Sequence, residues 1–304
     1  MRPDTKYREP RARVILCATL LLLAIRLAAL RPPQAVDRVA LGRQLFFDPG
    51  LSSDGSLSCA SCHIPERAFS DGRAKARGVN GSEGERNSPA LINVGSNLTF
   101  FWDGRESVLE RQTLAPIFNP KELGLNRVDL EKRTGRSSEE VAAALASYVR
   151  TIRSTRSRLD RFLAGEDSAL NTQERSGFQL FRGRGRCVEC HAGPDLTDDS
   201  FHNTGISWKT DHFTDDGRFT ITRNRLDLGA FKTPTLREIA LTAPYMHDGS
   251  IATLEDVVNF YALGGRRNPT LDVRMQPIEL NAGDKRALVA FLKTLSGEIR
   301  EGAK

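Results

Sequence analysis

Two pentapeptides of one pattern stand far apart in the chain, Cys59-Ala60-Ser61-Cys62-His63 and Cys187-Val188-Glu189-Cys190-His191. Two thiols at this spacing can add to the two vinyl groups of a porphyrin. An imidazole directly after the second thiol can then sit beneath the iron as its axial ligand. A disulfide, a redox dithiol or half of a zinc site would use the cysteines but gives no reason for the histidine. Met twice, the pattern predicts two covalently attached c-type haems. Cys59, Cys62, Cys187 and Cys190 are the attachment points, and His63 and His191 the proximal iron ligands.

The stretches that must position these motifs also repeat. Gly42 to Phe46 reads GRQLF before the first motif, and Gly177 to Phe181 reads GFQLF before the second. After each motif, Leu145 to Ile152 and Leu288 to Leu295 carry apolar residues at three- and four-residue spacing, as a helix buried on one face requires. Between them the halves align without a gap at an offset of 145 residues: NSPALIN from Asn87 on KTPTLRE from Lys232, and FWDGR from Phe101 on MHDGS from Met246. The reading is an all-α chain of two tandem cytochrome c-like domains, over 36–165 and 166–304, with the haems facing each other across their interface.

The same offset sets Tyr261 opposite Pro116. A tyrosine oxygen can bind ferric iron as a hard anion, whereas a proline ring offers no lone pair. If this position faces the iron, His191 and Tyr261 close the second haem and the first stays open above His63, where peroxide or oxygen could bind. Met275 is a rival ligand for the second haem, although its repeat partner would be Leu130. His247 falls opposite Trp102, so both belong between the haems or against one of them. His202 and His212 read as solvated loop residues.

Charged residues make up 27% of the 304 positions, as in an ordinary soluble globular chain, and the net charge is +6. Most of that excess sits in residues 1–35, where seven basic residues face two acidic ones. The nearly neutral remainder has no electrostatic pull on nucleic acid or anionic lipid. The first residues read as an export signal: a basic stretch to Arg13, an apolar run from Val14 to Ile25 too short to span a membrane, and a small-residue exit near Ala35. A signal peptide over 1–35, containing Cys17, predicts a periplasmic protein with no stable membrane association once it is cleaved. Arg26 leaves an uncleaved anchor as the alternative.

CASCH, ERNSPALIN, FFWDGR, APYMHDGSIATLEDVV and CVECH stand in the order of a known family. The whole chain after residue 35 resembles the bacterial di-haem cytochrome c peroxidase and MauG superfamily. Ordinary members reduce hydrogen peroxide with electrons from a small cytochrome or cupredoxin. MauG members oxidise two tryptophans of a methylamine dehydrogenase precursor, completing its tryptophan tryptophylquinone. Two departures from the peroxidases point to the MauG branch. Tyr261 stands where they carry a distal methionine, and Val79 stands about where many carry a removable histidine; no histidine lies between His63 and His191. The resemblance further implies Trp102 as a relay between the haems, and Gln112, Pro116 and Glu122 as the distal pocket of the open one. It also implies Asn87, with the backbone carbonyls of Thr242 and Pro244, as a calcium site between the haems. A peroxidase fed by a small redox protein and a non-enzymatic electron carrier remain the alternative functions.

Overall fold

The computed structural model describes residues 37–302, so the predicted signal segment lies outside the described residues. Among the described residues eight helices exceed one turn: α1 Arg38–Phe46, α2 Leu109–Phe118, α3 Arg127–Thr134, α4 Ser138–Val149, α5 Arg158–Leu163, α6 Thr172–Arg182, α7 Leu254–Ala262 and α8 Ala282–Leu292. Against the all-α expectation, three antiparallel strand pairs are also present. Arg153–Thr155 pairs with Glu298–Arg300, Phe201–His202 with Phe231–Lys232, and Trp208–Lys209 with His212–Phe213. Each is too short to form a layer, so helices make the core.

Polar caps set where the buried helices begin. Ser137 and Glu140 form a capping box at the start of α4, Asn171 and Glu174 do so for α6, and Asn281 and Asp284 for α8. The closing helices therefore start before the apolar stretches at Leu145 and Leu288. The first also stops short, at Val149, while α8 runs on into a 3₁₀ turn, Lys293–Leu295.

Two hydrophobic clusters form, one for each pentapeptide. Phe46, Phe69, Ile117, Leu145 and Tyr148 centre the first, with Cys59 packed against it. Phe178, Phe181, Tyr245, Leu288 and Phe291 centre the second, with Cys187 against it. In each, the helix before the motif crosses the closing helix at a glycine. A Cβ on Gly42 would lie 1.9 Å from the Ala144 carbonyl oxygen, and one on Gly177 would lie 2.0 Å from that of Ala287. Only hydrogen fits at either crossing.

The repeat read from the sequence recurs in the backbone. Phe101 and Met246, Asn93 and Glu238, and Gly104 and Gly249 all take positive φ, each pair separated by the same 145 residues. The bridge Phe100 to Glu106 likewise has its counterpart in Tyr245 to Ile251. The α2 and α7 helices begin at Leu109 and Leu254, again the same distance apart.

Candidate haem-binding site

His63 and His191 are held alike. The Nδ1–H of His63 donates to the Phe69 carbonyl and that of His191 to the Leu196 carbonyl, both at 2.9 Å. Phe69 and Leu196 take φ of 58° and 53°, so in both places the chain turns through the left-handed region to present that oxygen. Burial lowers the pKa of both imidazoles. A neutral imidazole whose Nδ1 donates keeps its lone pair on Nε2, the state an iron ligand needs.

The four motif cysteines are free. Burial, aided by the neighbouring Cys62, pushes the Cys59 thiol up to about 12, and burial pushes Cys187 up to about 12. Burial, then the charges of Asp71 and Glu122, raise Cys62 to about 11. A redox dithiol or zinc pair depends on easily formed thiolates, and these surroundings oppose them. Both pentapeptides instead line one cavity of about 950 Å³, near the top of the roughly 300–1,000 Å³ range of small-molecule sites. Paired thiols, a neutral imidazole whose Nδ1 is tied to a carbonyl and an apolar cavity fit a covalently attached haem at each motif.

The cavity brings the remaining sequence candidates together. Gln112 and Pro116 reach it from α2, Glu122 from the loop after α2, Tyr261 from α7, and Met275 from the segment between α7 and α8. Burial raises the Glu122 carboxyl while the Asn119 Nδ2–H, donating to Oε1 at 2.9 Å, works against it. Burial raises the Tyr261 phenol, with the Cys190 and Cys187 sulfurs adding to the effect. Val79 is buried, and its backbone N–H donates to the Glu122 carbonyl at 2.8 Å.

Trp102 lines the same cavity; its Nε1–H donates to the Asn87 carbonyl at 2.9 Å, and its carbonyl accepts from the Lys232 N–H at 2.8 Å. His247 is buried against the Phe231 ring, stacked at 3.5 Å, and burial pushes it down to about 4. Of the calcium candidates, Asn87 and Pro244 meet, and Thr242 lines the same cavity. The Asn87 Nδ2 faces the carbonyls of Arg73 at 2.7 Å and Pro244 at 3.5 Å. A cation among these oxygens would need that amide turned over to present Oδ1.

Two features escaped the sequence reading. His202 is not a solvated loop residue; its side chain is only 9% exposed and its ring lies between Asp272 and Asp198. His212 is exposed, as expected. Arg86 pairs through Nε and Nη2 with Asp215 at 2.7 and 2.9 Å and through Nη1 with Asp103 at 2.6 Å. Asp198 is only four residues from His202, but Asp272 and Asp215, which complete the two clusters, lie 70 and 129 residues from the groups they bind.

A family model described as di-haem cytochrome c peroxidase matches residues 36–139. The methylamine utilization protein MauG of Methylorubrum extorquens is 39% identical over 88% of this chain and 80% of its own. The cytochrome c551 peroxidase of Nitrosomonas europaea is 36% identical over 88% of this chain and 82% of its own. A solved MauG-like protein associated with microbial copper homeostasis superposes with a TM-score of 0.80 at 36% identity, over 88% of this chain and 91% of that one.

Proposed function

Since the chain belongs to the di-haem cytochrome c peroxidase and MauG family of haem-dependent oxidoreductases, we propose that it uses hydrogen peroxide, or dioxygen with electrons, to oxidise tryptophans of a partner protein. A methylamine dehydrogenase precursor, matured to its tryptophan tryptophylquinone, is the substrate this reading favours. The observation that carries it is the asymmetry of two equivalent helices: α2 offers Pro116 to the cavity where α7 offers Tyr261. Haems held by Cys59, Cys62 and His63 and by Cys187, Cys190 and His191 would supply irons that exchange single electrons, and the one over His63 would take up peroxide or dioxygen.

The chain's own residues supply the rest. Glu122 Oε1 is taken by Asn119, so Oε2 is the atom that accepts a proton from the incoming peroxide and returns it to the departing oxygen. Gln112 lines the same wall and orients the bound oxygen. Trp102, fixed to Asn87 and Lys232, relays charge between the halves, which we divide near residue 165. Asn87, Thr242 and Pro244 are the proposed calcium ligands, a hard oxygen set suited to that ion.

The apolar run in residues 14–25 supports a periplasmic location, and no helix among the described residues is long and apolar enough to cross a membrane. A second reading, a peroxidase fed by a small cytochrome or cupredoxin, is favoured by Met275, which lines the cavity with Tyr261. Electron paramagnetic resonance of the diferric protein separates the two. One high-spin and one low-spin signal are expected, the latter altered by Tyr261→Met and untouched by Met275→Leu. The converse pattern, with fast peroxide turnover on a reduced cytochrome, would establish the peroxidase reading.

A further inference from the structure

His202 has no part in the proposed chemistry, yet it lines the haem cavity beside the second attachment motif. Its Nδ1 lies 2.6 Å from Asp272 Oδ2 and its Nε2 lies 2.9 Å from Asp198 Oδ2. A neutral imidazole has one N–H and can satisfy one such acceptor, so two carboxylates require both nitrogens to donate. The ring is therefore an imidazolium. Burial opposes that charge, while the hydrogen bonds the ring donates to the Cys190 sulfur, Asp272 and Asp198 raise the group above its ordinary value; the two carboxylates keep their part of that effect when the Cys190 sulfur is bound in a thioether. Asp198 is tied to the motif itself, since its backbone N–H donates to the Cys190 carbonyl at 2.8 Å. The Cys190 sulfur, an Asp198 oxygen and a His202 nitrogen all lie within 4.8 Å of one another. Arg274, 46% exposed, comes in from the solvent side with Nη1 3.3 Å from Asp272 Oδ2 and 3.2 Å from His202 Nδ1; the shorter 2.6 Å contact to Asp272 keeps Nδ1 a donor.

We propose that His202 is a charge-positioning residue for the second haem: a fixed buried cation, balanced by Asp198 and Asp272, that sets that haem's reduction potential. Reduction adds an electron to the haem, so a nearby cation favours the reduced form and a nearby carboxylate the oxidised one. Both effects are strong where little water screens them. With Arg274 the four side chains are neutral as a set, so removing any buried member leaves a net charge beside the porphyrin. A metal ion bound by Cys190, Asp198 and His202 is a different use of the same atoms, and it is incompatible with a Cys190 sulfur spent in a thioether to haem. The inference rests on the family's two haems and not on the identity of the oxidised substrate.

The test is a redox titration of the intact di-haem protein, following the spectra of both haems. His202→Gln removes the cation and should move the second haem to lower potential. Asp272→Asn removes a carboxylate and should move it to higher potential. Arg274→Gln, at the exposed rim, should shift it less, and added salt should erase that shift. Opposite displacements by the first two variants support the proposal, because a merely structural role would move both alike. No displacement, or displacement of both in one direction, overturns it. Should His202→Gln fail to retain haem, Asp272→Asn carries the test alone, and a downward or absent shift overturns it. The peroxide reaction enters neither reading, so failure of the proposed function would leave this result unchanged.

Discussion

Glu122 is buried enough to favour its protonated form, and a single N–H from Asn119 pulls the other way. That balance makes it a usable proton carrier, and two variants separate its chemistry from its packing. Glu122→Gln keeps the shape and removes the exchangeable proton, so the reaction with peroxide should slow by ~10²–10⁴-fold in stopped-flow mixing. Stability should move in the opposite sense. A carboxyl raised in the folded state contributes stability that is present below its unfolded value, near 4.5, and lost as pH climbs through the folded one. The Gln variant should therefore melt no lower than wild type at neutral pH, and any advantage should vanish on acidification. Asn119→Ala removes the donor that favours the anion. It should raise the Glu122 pKa further and carry the acid limb of the pH–rate profile upward; an unmoved limb would show that another group sets it.

At the scale of elements, the two glycine crossings test whether the halves are built alike. With the Ala144 and Ala287 oxygens so close, Gly42→Ala and Gly177→Ala should each overpack a helix pair and cost about 1–3 kcal/mol or more in denaturant unfolding. Each should weaken haem retention chiefly in its own half. Much of this level was legible beforehand. The paired GRQLF and GFQLF stretches, the helical spacing after each motif and the common offset rest on local pattern, which survives in a linear string. Helix starts were less legible, because Ser137 and Asn281 fix them through capping bonds rather than through apolar periodicity. The three short strand pairs were invisible: two or three residues carry no alternation to detect, and Arg153–Thr155 finds its partner across half the chain. The repeat singles out Pro116 and Tyr261, and the family resemblance adds Trp102, Gln112 and Glu122; all five line the one cavity. His202 was misread because Asp272, the carboxylate on its Nδ1, arrives from 70 residues away, and Asp198, only four residues before it, does not by itself announce burial.

For the whole molecule, one link between the residues around the first motif and those around the second passes through Arg86, whose guanidinium holds Asp103 on one side and Asp215 on the other and lies over the Phe231 ring. Phe231 in turn stacks on His247, and the next residue after Arg86 provides the carbonyl that holds Trp102. Arg86 and Asp103 side chains are 18% and 7% exposed; removing the arginine leaves Asp103 to Arg105 alone, at 3.0 Å, and strands Asp215, itself 23% exposed, without its guanidinium. Such a loss costs about 3–5 kcal/mol for a buried pair. Asp215 adds a pH signature. Burial raises its pKa, but hydrogen bonds from Arg86 and the Gly217 N–H more than reverse this and hold it below the ordinary 3.8. A depressed carboxylate contributes stability above its unfolded value and loses it as pH falls toward the folded one. Wild type should therefore hold a stability plateau above pH ~4 and lose it below, whereas Arg86→Met should be weaker throughout and lose less on acidification. If Arg86 also fixes the alignment of Trp102 with both haems, Arg86→Met at full haem content should let the two haems titrate independently in a redox titration. Retained coupling in a destabilised variant would mean that the ion network stabilises the packing without setting the electronic contact proposed for Trp102.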